Sequence, residues 1–563
     1  MKNTKLREKV EFKNVKDLVE RVADMYRGDY VYSYKNNPRD KEVIKVKYED
    51  FRKDVRGLAT EFIARGFKGK HITVVGKLTY QWVLVYWATL SIGSVLVPLD
   101  PEWTVDDLAD TIEKADSTTL FVGNDILEKG KNIKEKNGIE DFFVLEGDGE
   151  DAIFSMIKSG KKRIVNGDIS YFSTQPDPDA LSLLVFTSGT TGKGKGVMLN
   201  QTAVLSDLSD VVQYVDFGKK TIALLPPHHT YGSSVAILGQ TSIGCEIYLS
   251  AGIKYIQKEL KEQKPEHVVL VPLYLETFYR KIMANIKEQG KEKLIKNAIK
   301  ASNGLRKIGI DRRKSMFKAI LEAFGGKTKM VISGGAPISQ EIMDFFDGVG
   351  ISVLNGYGIT ECAPIIAVNH SKKVIPGSVG FPLEICDVRL DDMNSDGEGE
   401  ICVKGSNVML GYYKDEKATE EAFTSDGYFK TGDYGKFDKH GALHITGRKK
   451  NLIILSNGKN VYPEEIETVL GAVPGVLDII VYEGQSVRGV EHNKIVAEIY
   501  PDKEYIEKNN IKDVEKYLQE FVNEYNRTAV PYKKIGIVKV RKDEFPKNTL
   551  RKILRFKLDM SID

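Results

Sequence analysis

Leu183-Leu184-Val185-Phe186-Thr187-Ser188-Gly189-Thr190-Thr191-Gly192-Lys193-Gly194-Lys195-Gly196-Val197-Met198 decides how this chain is read. An apolar run of strand character enters a loop of glycines and hydroxyls and leaves through a second apolar run. Glycines permit positive φ, and hydroxyls with backbone N–H groups can converge on phosphate oxygens. Lys195 adds a point charge. Gly189, Gly194 and Lys195 satisfy the GxxxxGK skeleton of P-loop nucleotide hydrolases, but Gly196 stands where that motif needs Ser or Thr to hold Mg²⁺. Val197-Met198-Leu199 also reads as a strand where a P-loop requires a helix. The expectation is a phosphate-binding loop held between two strands.

Working outward, 563 residues exceed what one core organises, and the prior is roughly three to four structural units. Hydrophobic residues at 42% and charged residues at 29% are ordinary globular proportions, which disfavours fibrous, mostly disordered and polytopic membrane chains. A formal net charge of +3 argues against a dedicated nucleic-acid binder. Cys245, Cys362, Cys386 and Cys402 form no CxxC pair, so reduced thiols in a cytoplasmic protein are expected. The N-terminal MKNTKLREKVEFK lacks a secretory apolar core. The apolar stretch from Leu78 to Leu99 is long enough to cross a bilayer, but Gln81, the break at Gly93 and the β-type Val95-Leu96-Val97-Pro98 read as a buried helix followed by a buried strand.

From Lys47 to Gly123 helical and strand-like periods alternate: Phe51 to Arg65, Ile72 to Val75, Val105 to Lys114, Thr119 to Val122. The strand texture returns at Ile222 to Leu225, Val268 to Val271 and Met330 to Ile332. That alternation predicts an α/β body around largely parallel sheets. Between Arg280 and Lys329 stand 15 basic and 4 acidic residues. Ile282, Ile286, Ile295, Ile299, Phe317, Ile320 and Leu321 fall there at helical spacing, so this insert reads as basic amphipathic helices, either a solvated face or one drawn to anionic lipid or polyphosphate. After Val379 short strands and turns follow. Beyond Gly447 a smaller α+β unit is expected, giving a division into residues 1–446 and 447–563 with a mobile junction at Thr446 to Lys450.

FTSGTTGKGKGV, from Phe186 to Val197, resembles the phosphate-loop signature of the adenylate-forming (AMP-binding) superfamily, although that family usually has proline where this chain has Gly194. Further segments fall in the family's order between about Tyr34 and Arg555. The resemblance implies a large N-terminal α/β domain of several subdomains, a small mobile α+β C-terminal domain, and a reaction that joins a carboxylate to the α-phosphate of ATP. It implies that Thr187, Ser188, Gly189, Thr190, Thr191 and Gly192 hold phosphate together with Lys195. Gly334, Gly335 and Ala336, within Ser333-Gly334-Gly335-Ala336-Pro337, would wall the adenine. In Asn355-Gly356-Tyr357-Gly358-Ile359-Thr360-Glu361, Tyr357 would stack on adenine, Thr360 would meet the α-phosphate and Glu361 would bind Mg²⁺.

Within Gly427-Tyr428-Phe429-Lys430-Thr431-Gly432-Asp433, Asp433 would clamp the ribose, whose two hydroxyls a carboxylate can accept together. Arg448 would reach nucleotide oxygens and Lys450 would be the hinge. Lys552, in Pro546 to Arg555, matches the family's catalytic lysine, with Arg551 where the common form has glycine. Rotation of the small domain would withdraw Lys552 and bring in Gly458 and Lys459 beside the arm of CoA. His229, with Tyr231, would border the carboxylate pocket, and Ser233-Ser234-Val235-Ala236 lacks the aspartate of amino-acid-activating members.

Val271 to Glu276 and the basic insert look like long-chain fatty acyl-CoA synthetases. The resemblance therefore implies a medium- to long-chain fatty acid, ATP, Mg²⁺ and CoA, in a cytoplasmic enzyme whose insert offers peripheral contact with an anionic membrane. Two alternatives stay open: transfer to a separate acyl carrier protein, and a nucleotide-binding protein without catalysis.

Overall fold

The apolar runs become the middle of a seven-stranded sheet in the order Gly411–Tyr412, Lys195–Asn200, Leu181–Thr187, Val95–Leu99, His71–Val75, Thr119–Val122, Asp141–Val144. The five strands from Leu181–Thr187 outward run parallel, and the two strands flanking the phosphate loop pair antiparallel. The computed structural model describes residues 5–187, 194–455, 460–484, 494–548 and 551–562. Leu78 to Leu99 resolves into the helix Tyr80–Ser91, buried on every side, and the buried strand Val95–Leu99. Among the described residues no helix is long and apolar enough to cross a membrane.

A five-stranded sheet carries the later nucleotide segments: His267–Leu270, Met330–Ser333 and Ser352–Gly358 run parallel, and Ile365–Val368 and Phe381–Pro382 close it antiparallel. A four-stranded antiparallel sheet of Cys386–Asp391, Gly399–Gly405, Phe429–Phe437 and Leu443–Arg448 follows. The basic insert folds into the helices Pro272–Glu288, Glu292–Lys307, Arg313–Met316 and Lys318–Ala323. Its apolar positions, Ile286, Phe317 and Leu321 among them, pack into the core beside the five-stranded sheet while the lysines stay outside. Residues from Ile453 onward bury separate clusters built on the sheet Val476–Gly484, Lys494–Pro501 and Ile537–Val540.

Close packing fixes the first layer of helices on the large sheet. The helices Tyr48–Ala64 and Ile153–Val165 meet through facing glycines, and a Cβ on Gly160 would lie 1.8 Å from the Gly57 carbonyl oxygen. Backbone on that side cannot move like a flexible side chain, so any substitution drives the helices apart. Gly160→Ala is therefore expected to lower stability by about 1–3 kcal/mol, read as a reduced urea midpoint. Turnover per folded molecule should be unchanged, because the contact lies away from the phosphate loop.

Candidate active site

The phosphate loop leaves and re-enters the sheet through an antiparallel pair in which Thr187 faces Lys195. Ser188, Gly189, Thr190, Thr191 and Gly192 lie outside the described residues, as do Gly458 and Lys459. At the loop's return a Cβ on Gly194 would stand 2.7 Å from the Thr187 carbonyl oxygen, and Lys114 Nζ donates to the Gly194 carbonyl at 3.0 Å. Lys195 then places its ammonium over the ring of Tyr412, 4.5 Å from the centroid.

Parallel pairing of Met330–Ser333 with Ser352–Gly358 sets Ser333 opposite Asn355, so both nucleotide segments leave the sheet side by side. Gly334 is buried, whereas Gly335 and Ala336 are exposed. The Tyr231 ring packs so closely on Gly334 that a Cβ there would lie 3.2 Å from its Cζ. Tyr231 gives its hydroxyl to the carbonyls of Leu270 and Ile332, at 3.3 and 3.2 Å. It therefore braces the glycine wall from behind. Asn355 Oδ1 is buried and accepts no hydrogen bond from the described residues, a vacancy in hydrogen bonding that a nucleobase donor could fill.

Asp433 sits at the convergence of three elements. Gly432, at φ +69°, turns the strand within Thr431-Gly432-Asp433, where left-handed backbone favours glycine. The Asp433 N–H donates to Thr431 Oγ1 at 3.1 Å. Antiparallel register places Arg448 directly across from Asp433, and its Nε lies 3.0 Å from Asp433 Oδ1. Tyr357 donates its hydroxyl to Asp433 Oδ2 at 2.7 Å. The ring expected to stack on adenine is thus anchored to the carboxylate expected to clamp ribose. A carboxylate only 3% exposed keeps its charge through such partners.

Glu361 is carried by the tight turn Thr360–Cys362, in which Thr360 is its half-buried neighbour. Sequence reasoning missed the groups that pin this turn. Asn407 Nδ2 donates to the carbonyls of Cys362 and Ile365 at 3.1 and 2.8 Å. Buried Asp207 accepts from Ile365 N–H at 3.2 Å, and its burial pushes its carboxyl upward. Tyr412 donates its hydroxyl to Glu361 Oε1 at 2.9 Å. Asp207 stands between apolar Leu205 and Leu208 in the helix Gln201–Val211, and an acidic residue on that side was a signal the sequence offered.

Lys552 enters from the smaller unit. Asn548 Oδ1 accepts from its N–H at 2.9 Å, and Lys547 bridges Ile553, which makes a tight turn behind the lysine. Arg551 takes φ +61° in that turn, which explains why glycine is the common residue there. Lys552 is exposed overall, and Arg448, Lys450 and Asp433 are the charged groups that act on its ammonium. Desolvation and the nearby Arg448 and Lys450 push it down to about 8, against the pull of Asp433. The same ammonium acts on His229, which burial, His228 and Lys552 hold well below the usual imidazole range. The His229 ring also lies tilted against that of His228, 4.3 Å between centroids, and His228 Nε2 is 3.5 Å from Asp100. Lys450 falls in the single turn Lys449–Asn451 that follows the strand Leu443–Arg448, and burial with Arg448 lowers it.

A family model described as AMP-binding enzyme matches residues 19–413. A long-chain-fatty-acid–CoA ligase of Mycobacterium bovis, FadD15, is 28% identical over 453 residues, 76% of this chain and 73% of that protein. Long-chain-fatty-acid–CoA ligase 5 of Mus musculus is 28% identical over 495 residues, 81% of this chain and 71% of that protein. The crystal structure of ATP-bound MatB from Rhodopseudomonas palustris superposes with a TM-score of 0.74 at 23% identity, covering 96% of this chain and 97% of that one, a likeness of fold.

Two measurements follow from this geometry. Tyr357→Phe removes a hydrogen bond to a charged group and should raise KM for ATP about 10-fold, more than it lowers kcat. The pH dependence carries a definite sign. A lysine pushed down to about 8 is charged below that pH and neutral above it. Acid-dependent exchange of pyrophosphate into ATP, measured as kcat/KM, should therefore fall as pH rises through about 8, and Lys552→Arg should carry the fall to higher pH.

Proposed function

Because the chain belongs to the AMP-binding enzyme family, we propose that it is an AMP-forming acid–thiol ligase that activates a medium- to long-chain fatty acid and passes it to CoA. The observation that carries this reading is the meeting at Asp433 of Arg448 and Tyr357, which joins three of the segments that resemble the family's nucleotide motifs; the effect of Lys552 on the same surroundings supports it.

The chemistry follows from charge. A fatty acid with a carboxyl pKa of about 4–5 is ionised at neutral pH, so the first step needs no general base. A carboxylate oxygen bonds to the α-phosphorus as the bond to the β-phosphate breaks, and pyrophosphate leaves with the electron pair. The loop from Thr187 to Gly192 and Lys195 grip the outer phosphates. Gly334, Gly335 and Ala336 with Tyr357 receive adenine, Asn355 and Gly356 line its edge, and Asp433 takes the ribose while Arg448 turns to nucleotide oxygens. Thr360 and Lys552 face the α-phosphate, where the ammonium stabilises charge that builds in the transition state. Neutral His229 borders the acid's carboxylate without competing for it as an ion, and Tyr231 supports the wall.

Among the described residues no cluster of three or more metal-binding side chains occurs. A single carboxylate, Glu361, which among the described residues accepts a hydrogen bond from Tyr412 through Oε1, fits a Mg²⁺ that arrives on ATP, since that ion is commonly held by one or two carboxylates plus phosphate oxygens. When bound it neutralises phosphate charge.

For the second half-reaction the smaller unit, residues 447–563, turns about Lys450 and carries Gly458 and Lys459 to the CoA arm. The separate cores on either side of Lys449–Asn451 support that division. Long-chain ligases among the relatives support the fatty acid. Ile308 and Leu294, 71% and 62% exposed among the lysines of the basic insert, support contact with an anionic membrane, from which such acids are drawn.

Lys552→Ala should abolish acid-dependent pyrophosphate exchange while thioester formation from supplied acyl-AMP persists. Equal loss of both halves would sink the two-step reading. A panel of acids of increasing chain length, offered with CoA or with an acyl carrier protein, identifies substrate and acceptor, and absence of AMP from every pairing would mark a nucleotide binder instead.

A further inference from the structure

Tyr412 touches two groups that the proposed reaction uses. Its ring faces the Lys195 ammonium at 4.5 Å, and its hydroxyl reaches Glu361 Oε1 at 2.9 Å. Tyr412 is 8% exposed and Glu361 half-buried, so the charge-assisted bond to Glu361 is the better shielded of the two, whereas Lys195 is exposed and meets the ring from the solvent side.

Three neighbouring segments fix Tyr412. Gly411 and Tyr412 pair antiparallel with Met198 and Val197 on the strand that begins at Lys195. Tyr413 N–H donates to the Gly196 carbonyl at 2.8 Å and Leu410 N–H to the Met198 carbonyl at 2.9 Å. Met409 N–H donates to the Glu361 carbonyl at 2.8 Å, and Tyr412 N–H to Thr419 Oγ1 at 2.9 Å. The segment Met409 to Tyr413 is therefore a strap, tied to the phosphate strand on one side and to the Glu361 turn on the other. Burial and the adjoining Glu361 raise the phenol far above its ordinary range, which keeps it a hydrogen-bond donor throughout the physiological span.

We infer that Tyr412 is a positioning residue: its ring parks the Lys195 ammonium beside the phosphate loop, and its hydroxyl aims the Glu361 carboxylate at nucleotide-borne Mg²⁺. The two halves of one side chain thus set the spacing between the cation that meets phosphate and the anion that meets metal. This rests on the proposed roles of Lys195 and Glu361. It assigns a task to a residue whose Gly-Tyr-Tyr context carries no chemical signal in the sequence.

The two halves separate by substitution. Tyr412→Phe keeps the ring and its packing but loses the hydroxyl; Tyr412→Leu loses both. Binding of a fluorescent, non-hydrolysable ATP analogue, titrated against free Mg²⁺ in the absence of acid and CoA, reads the metal side. For Tyr412→Phe, the Mg²⁺ concentration giving half-maximal binding should rise about 10-fold, while affinity at saturating Mg²⁺ stays near wild type. Lys195 is read independently by brief acylation with an N-hydroxysuccinimide ester and peptide mass spectrometry. Its labelling should rise about 3- to 10-fold in Tyr412→Leu, as the ammonium loses its seat, and stay unchanged in Tyr412→Phe.

An unaltered Mg²⁺ titration in Tyr412→Phe overturns the inference, as does equal Lys195 labelling in wild type and Tyr412→Leu. If Tyr412→Leu does not fold, judged by near-ultraviolet dichroism, the Tyr412→Phe titration alone decides. Failure of the wild-type protein to bind the analogue would instead overturn the proposed function, so the two failures are told apart.

Discussion

A buried carboxylate is stable only where opposite charge and hydrogen-bond donors surround it, and Asp433 meets that demand by drawing on three distant parts of the chain. Its turn lies in the four-stranded antiparallel sheet, Arg448 faces it across the next strand, and Tyr357 reaches it from the five-stranded sheet. The strand that ends at Arg448 runs straight into the turn Lys449–Asn451. Nucleotide wall, sheet and junction are thereby referred to one group. Any ligand that takes Asp433 as a partner meets a carboxylate already oriented by Tyr357 and Arg448.

Around that carboxylate the structure concentrates positive charge. Arg448, Lys450 and Lys552 crowd one crevice, at the cost of a lysine whose proton is held less tightly than usual. Such an arrangement is poor for stability, because Asp433 alone does not offset three cations brought together. It suits a site that waits for a polyphosphate. Lys195 is handled differently: it rests on the Tyr412 ring beside the loop.

Much of the fold was legible because periodicity reports burial directly. Val105–Lys114 and Thr119–Val122 have the limits that their patterns give, and the apolar stretch from Leu78 divides at Gly93 into helix and strand because a glycine turn cannot continue either period. The reading of Val197-Met198-Leu199 as a strand also holds: Lys195–Asn200 pairs antiparallel, and a helix begins only at Gln201. The basic insert divides as its amphipathic pattern requires, with Ile286, Phe317 and Leu321 inward and the lysines outward.

The sequence by itself determined the alternation of elements, the two strands that run into and out of the glycine-rich segment, and the family, because these depend on local residue order. Only the tertiary structure decided that Tyr231 braces the glycine wall, that Tyr357 is bonded to Asp433, and that Asp207, Asn407 and Tyr412 hold the turn of Glu361. Their partners lie scores to more than 150 residues away along the chain, and a hydroxyl or amide carries no mark of the acceptor it will meet. Register between strands and the approach of layers choose that acceptor, and both are properties of the folded whole.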